Sequence, residues 1–285
     1  MGGLGNQMFQ YAFGRALSIK HNQKLILDID EFSTYEPRDF ELNKYNINGE
    51  IFTRKEKTNL KVLNPKSLFF KLLKKLNLTS LVPNYYLEKT LVYHEDILTL
   101  DNIYFEGYFQ NEKYFKSIRN ELLNDFKITE DITAYTREVK KLIKNSDNSV
   151  SLHIRRGDYV SNSRINNIHG TCSLEYYTKA IEYIKTQIGE INIFVFSDDI
   201  SWVKENLHHK NTYFVESYNN KIPHEDIYLM SLCSQHIIAN SSFSWWGAWL
   251  NQNEKKIVIA PKRWFSDEKM EKQAQDIVPR DWIRI

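Results

Sequence analysis

From Ser149 to Pro261 the sequence alternates between short apolar runs rich in β-branched and aromatic residues and segments of helical period. The runs SVSLHIRR (149–156), INIFVFSDD (191–199), TYFVE (212–216), QHIIAN (235–240) and KKIVIAP (255–261) read as strands. The segments 173–187, 200–207, 224–234 and 241–251 between them read as helices. Strand–helix alternation of this kind predicts a parallel sheet, and parallel sheets bind ligands at the carboxyl ends of their strands. The residues just after each strand therefore carry the functional argument.

The amino-terminal half is less regular. MGGLGNQMFQYAFGRALS (1–18) places Met8, Phe9, Ala12, Phe13, Ala16 and Leu17 at helical spacing behind a glycine-rich turn, and KLILDID (24–30) reads as a strand. Residues 102–115 read as an aromatic strand and turn, and 128–149 as a helix running into a polar break. The new α/β series after that break puts the expected domain boundary at 145/146. The segment from Arg54 to Lys75 is the most basic, with eight Lys or Arg against one Glu. Leu68, Leu72 and Leu76 form one helical stripe there, with Lys71, Lys74 and Lys75 on the other side. The favoured reading is a surface helix packed on its own domain; the alternative is a basic amphipathic helix resting on anionic lipid.

At 285 residues the chain can bury a core without staples, and 42% hydrophobic with 26% charged residues excludes a disordered chain. A net charge of +2 argues against a dedicated nucleic-acid binder. Cys172 and Cys233 lie far apart, which excludes a disulfide framework and fits a reducing cytoplasm. No signal peptide or apolar run of membrane-spanning length is visible. Most of the 17 Tyr and 16 Phe, and Trp245, Trp246 and Trp249, are read as core rather than sugar-stacking surface.

Four stretches stand where ligands would bind. In HIRRGDYV (153–160), adjacent side chains point to opposite faces, so Arg155 and Arg156 have different tasks: one reaches a ligand, the other braces a loop or an acid. A guanidinium there can grip phosphate through two parallel hydrogen bonds. In ANSSFSWWGAWL (239–250), Ser241 and Ser242 open a helix, where free N–H groups favour an anion, although simple capping explains serine equally well. Asp226 is either a partner of its helix dipole or an acceptor for nucleobase N–H groups. The paired acids Asp198 and Asp199 read as loop caps or as a weak metal signal. The opening turn GGLGN is not a G-x-G-x-x-G fingerprint, so a nicotinamide dehydrogenase scores poorly. Its glycines still permit close approach of backbone to a ligand.

Taken together, GGLGNQMFQYAFGRALS, HIRRGDYV, FVFSDD and ANSSFSWWGAWLN resemble, in order, the motifs of the α-1,2-fucosyltransferases of glycosyltransferase family 11. The resemblance spans most of the chain and is weakest from about Phe32 to Thr99. It implies a GT-B architecture: an α/β fold of two Rossmann-like domains facing across a cleft, an acceptor-side domain over 1–145 and a GDP-fucose-binding domain over 146–285. It implies an inverting transfer of L-fucose from GDP-β-L-fucose to a galactose 2-hydroxyl, with no cofactor and no required metal. It assigns Arg155 to the donor pyrophosphate, His153 to the neighbourhood of the guanosine, Asp226 to guanine, and Ser241 and Ser242 to phosphate. Gly3, Gly5, Asn6 and Gln7 would line the site from the amino-terminal half. Asp158 is the candidate general base, with pairing to Arg156 as its alternative role; a water beside Asn6, Glu175 and His169 are further candidates.

For partners the resemblance implies a galactose-containing oligosaccharide of a surface glycan such as O-antigen, commonly lipid-linked. The enzyme would then work in the cytoplasm, in peripheral contact with the inner face of the membrane, without nucleic acid. The competing functions are a GDP-sugar transferase of another linkage and a degenerate sugar-binding protein without turnover. Family members usually carry a short apolar strand before GGLGN, whereas Met1 stands there here. The expectation is an upstream natural start, or an amino-terminal sheet without its central strand; adding such a strand should raise the melting temperature.

Overall fold

The computed structural model describes residues 2–33, 39–52, 67–76, 78–157, 160, 162–216 and 222–285. Two compact units divide between Phe126 and Lys127, not at 145/146. The displaced boundary has a clear cause in the helix α4 (Ala134–Lys144), which belongs to the second unit. The Glu225 carboxylate accepts hydrogen bonds from Thr133 N (2.8 Å), Thr133 Oγ1 (2.7 Å) and Thr136 Oγ1 (2.5 Å). Together these bonds tie the amino terminus of α4 to the second unit.

The first unit is built around α1 (Leu4–His21), whose Met8, Phe9, Ala12, Phe13, Ala16 and Leu17 are buried as their spacing predicts. Phe13 stacks on Phe109 (3.9 Å between centroids) and meets Phe105 and Tyr114 edge-on. These aromatics supply core, as expected. Tyr11 Oη and Arg15 Nε both donate to Asp125 Oδ2, at 2.7 and 2.9 Å, fixing α1 to α3 (Arg119–Asp125). Among the described residues the strands form two separate parallel pairs. One joins β1 (Ile26–Asp28) to β2 (Glu50–Phe52), the other β3 (Tyr85–Leu87) to β4 (Tyr104–Glu106). A cavity of about 610 Å³ is bordered by α1 and by residues of β1 and β4. Tyr104 Oη reaches Asp28 Oδ2 at 3.0 Å, linking the two pairs. The helix α2 (Leu68–Lys75) precedes β3. Of the basic segment 54–75, residues 54–66 lie outside the described residues.

The second unit holds a six-stranded parallel sheet among its described residues. Its strands are β5 (Ser149–Ile154), β6 (Asn192–Ser197), β7 (Thr212–Phe214), β8 (Gln235–Ile237), β9 (Val258–Ala260) and β10 (Ile283–Arg284), in the order β10-β9-β8-β5-β6-β7. The stretch 255–261 is therefore not the last strand; the two-residue β10 is too short to show periodicity. The connecting helices are α5 (Ser163–His169), α6 (Leu174–Ile188), α7 (Ile200–Asn206), α8 (Pro223–Leu232), α9 (Ser242–Leu250) and α10 (Glu268–Gln273). Helices α5 and α10, of seven and six residues, lie outside the helices that the sequence predicts. The core gathers Val150, Leu152 and Ile154 of β5, Ile193 and Val195 of β6, and Ala180, Ile181 and Ile184 of α6. Trp245, Trp246 and Trp249 are buried core, with Trp245 Nε1 donating to Ile277 O at 2.8 Å. Gly247 permits close packing of α9 on α8, since a Cβ there would lie 2.7 Å from that of Met230.

Candidate functional site

In the second unit, chain order reverses between β5 and β8. The strands β5, β6 and β7 run outward in one direction and β8, β9 and β10 in the other. Open parallel sheets bind their ligands in the crevice beyond the carboxyl ends of strands at such a switch. The chain leaves β5 through Arg155, Arg156 and Gly157, and leaves the neighbouring β8 towards Asn240, Ser241 and Ser242. The two motifs that the sequence singled out independently thus lie side by side at the switch.

Arg155 Nη1 stands 2.6 Å from Asp198 Oδ2, just beyond the end of β6. The same carboxylate accepts Arg156 N–H through Oδ1 at 2.9 Å. Burial alone would raise the Asp198 carboxyl, but the Arg155 guanidinium and the N–H groups of Arg156 and Gly157 hold it below the usual range. A Cβ on Gly157 would lie 2.4 Å from Asp198 Oδ2, so any other residue here would push the carboxylate aside. Arg156 faces elsewhere. Its guanidinium lies 3.6 Å from the Trp202 ring centroid, and its Nε pairs with Asp199 Oδ2 at 3.3 Å. Asp199 also caps α7, accepting Trp202 N–H at 3.2 Å. The division of labour expected of the two arginines holds for Arg156, which braces α7. The acids Asp198 and Asp199 serve as arginine partners and as a cap.

His153 is buried on β5, and its Nδ1 has no hydrogen-bond partner among the described residues. Burial pushes its pKa down to about 4, with Asp198 opposing and Arg155 reinforcing the shift, so the imidazole is neutral near pH 7. Its ring lies 5.6 Å from that of Phe243 at the start of α9. Ser241 is the N-cap of α9, accepting Phe243 N–H at 3.3 Å, and Ser242 opens the helix. The first-turn N–H groups of α9 make this the positive end of a helix dipole.

Asn240 is a residue the sequence reading passed over. Its buried Nδ2 donates to His169 O (2.9 Å), Gly170 O (3.3 Å) and Trp264 O (3.1 Å), tying the loop after α5 to the entrance of α9. Only its position one residue before the serine pair could have suggested this. Asp226 lies in the first turn of α8, close enough to Tyr135 to contribute to the raised pKa of that phenol, which burial dominates. Its neighbour Glu225 is the carboxylate that ties down α4. Asp158 lies outside the described residues. Of the other candidate bases, Glu175 is exposed and pairs with Lys179 at 2.6 Å, and the His169 ring packs 5.2 Å from that of Phe265.

The remaining assigned residues belong to the first unit. Gly2 has a φ of 102° and Gly3 is the N-cap of α1, while Gly5 is buried inside that helix. Asn6 Oδ1 accepts from Gln110 Nε2 at 2.8 Å. Gln7 is held by backbone on both sides of its amide. Its Nε2 donates to Gly2 O (3.0 Å) and Asp39 O (2.8 Å), and its Oε1 accepts Glu41 N–H (2.9 Å). The side chain is buried, and its amide braces backbone.

Comparison with known proteins gives the family and the fold class. Two proteins of Escherichia coli are each 38% identical and match all of this chain. They are the O-antigen biosynthesis glycosyltransferase WbnK, matched over 98% of its length, and an alpha-1,2-colitosyltransferase, matched over 96%. The galactoside alpha-(1,2)-fucosyltransferase 2 of Oryctolagus cuniculus is 23% identical over 88% of this chain and 65% of its own. Among solved structures, NodZ alpha-1,6-fucosyltransferase soaked with GDP-fucose superposes with a TM-score of 0.51, over 87% of this chain and 89% of that one. At 13% identity that likeness speaks for the fold, which is of the GT-B class. The model of glycosyl transferase family 11 matches residues 1–285, and the chain belongs to that family.

Proposed function

We propose that this glycosyltransferase moves L-fucose from GDP-β-L-fucose to the 2-hydroxyl of a galactose in a surface glycan, with inversion and without a metal. The observation that carries the donor assignment is the placement of Arg155 beside the amino terminus of α9 at the strand switch point. As the sugar–phosphate bond breaks, negative charge grows on the β-phosphate. A guanidinium held by Asp198 and the positive end of the α9 dipole at Ser241 and Ser242 are suited to stabilise that charge. His153, neutral and with a ring nitrogen unpartnered among the described residues, is available to the nucleoside, and Asp226 is the carboxylate suited to guanine N–H groups. The acceptor hydroxyl attacks the opposite face of the anomeric carbon and gives up a proton, for which Asp158 is our candidate base.

A second donor is favoured by the relative named as an alpha-1,2-colitosyltransferase. Colitose is L-fucose without its 3-hydroxyl, so the same GDP and phosphate contacts serve either sugar. Turnover of GDP-fucose against GDP-colitose with a galactose-terminated acceptor separates the two.

Calorimetric titration of GDP into wild type and Arg155→Ala, with and without magnesium, tests the donor site. The expected result is metal-independent binding that the substitution weakens by about 2 kcal/mol, about thirtyfold. Equal binding by both proteins removes Arg155 from the donor site, and a strict magnesium requirement removes the metal-free mechanism.

A further inference from the structure

We infer that α2 and the turn after it form a peripheral docking surface for an anionic lipid bilayer. The inference is independent of the donor assignment. The packing of α2 reverses what its pattern suggested. The residue buried against the first unit is Phe70, fully inaccessible and edge-on to Tyr85 at 4.7 Å. Beside it Lys74 donates to both oxygens of Glu106, at 2.5 and 2.6 Å. The leucine stripe points away, with Leu68 85%, Leu72 52% and Leu76 56% exposed. Leu81, 72% exposed, and Leu78 continue the apolar surface beyond the helix.

Two lysines decide what covers this face. On a helical wheel Lys71 and Lys75 flank Leu68 and Leu72 on the outward side, and both are exposed. A second copy of the chain docked on this face would bring like charges together. A bilayer with anionic headgroups accepts both features, taking leucines into the acyl boundary and pairing lysines with phosphate. No described helix is long and apolar enough to cross a membrane, so the element would lie on the surface rather than span it.

The test is co-sedimentation of the full chain with phosphatidylcholine vesicles, with and without phosphatidylglycerol. Wild type should bind only the anionic vesicles, and added salt should weaken that binding. The triple substitution Leu68→Ser, Leu72→Ser, Leu76→Ser, and separately Lys71→Glu with Lys75→Glu, should each weaken it at least tenfold, with far-ultraviolet circular dichroism unchanged. Leu81→Ser, in the turn after the helix, should weaken it in the same direction if the triple variant does not fold. Failure of wild type to bind anionic vesicles, or undiminished binding by the folded variants, overturns the proposal. So does a lipid-free dimer that the leucine substitutions dissociate, because the occupant is then a second copy.

Discussion

The Asp198 carboxylate holds Arg155 through one oxygen, 2.6 Å from Nη1, and the Arg156 backbone N–H through the other, at 2.9 Å. One acid therefore sets both the direction of the guanidinium and the path of the chain leaving β5. Asp198→Asn keeps the shape and removes the charge. It should lower unfolding free energy by about 1.5–3 kcal/mol, the scale of hydrogen bonds to charged groups, and weaken GDP binding as well. Denaturant titration and calorimetry measure the two effects, and unchanged GDP affinity would mean that Asp198 only supports the fold.

Gly157 tests the same relationship from the other side. A methyl at this position meets Asp198 Oδ2 at 2.4 Å. Gly157→Ala should therefore reproduce the GDP defect of Asp198→Asn. The double variant should be less impaired than the sum of the singles, since both act on one contact. Strict additivity of the two would show that they act separately.

Two buried histidines predict an acid-sensitive second unit. Burial lowers the pKa of His153 to about 4 and that of His236 to about 3, with Lys256 a lesser cause for the latter. Below about 6.5 the unfolded imidazoles bind protons that the native ones refuse, so stability falls as pH falls. Each histidine should contribute a slope of about 1.4 kcal/mol per pH unit between pH 6.5 and its folded pKa. Denaturation midpoints from pH 7 to pH 4.5 should show this, with a shallower slope for His153→Gln. A flat profile would contradict the buried, neutral assignment.

Glu225 is the tie between α4 and α8, with three donors from Thr133 and Thr136. Its carboxyl would be raised by burial, but the two threonines hold it below the usual range. Glu225→Ala leaves those donors without their acceptor and should lower stability by about 2 kcal/mol. Limited proteolysis should then cut near Lys127–Thr133 sooner than in wild type. An unaltered cleavage pattern would place the boundary of the second unit elsewhere.

What the sequence determined by itself was local: the alternation of strand and helix after Ser149, the buried stripe of α1, and the serine that caps α9. These follow from side-chain periods of two and 3.6 residues and from the hydrogen-bonding needs of a helix start, none of which requires a distant partner. The strand order placing Arg155 beside Ser241 was decided in three dimensions, as was the pairing of Arg155 with Asp198 across 43 residues. So was the attachment of α4 to Glu225. The clearest case is α2. Its pattern displayed a leucine stripe, and Lys71 and Lys75 lie beside that stripe rather than opposite it; a period shows only that a helix has faces, not which one finds a core. Phe70 found it beside Tyr85, and the leucines were left outside.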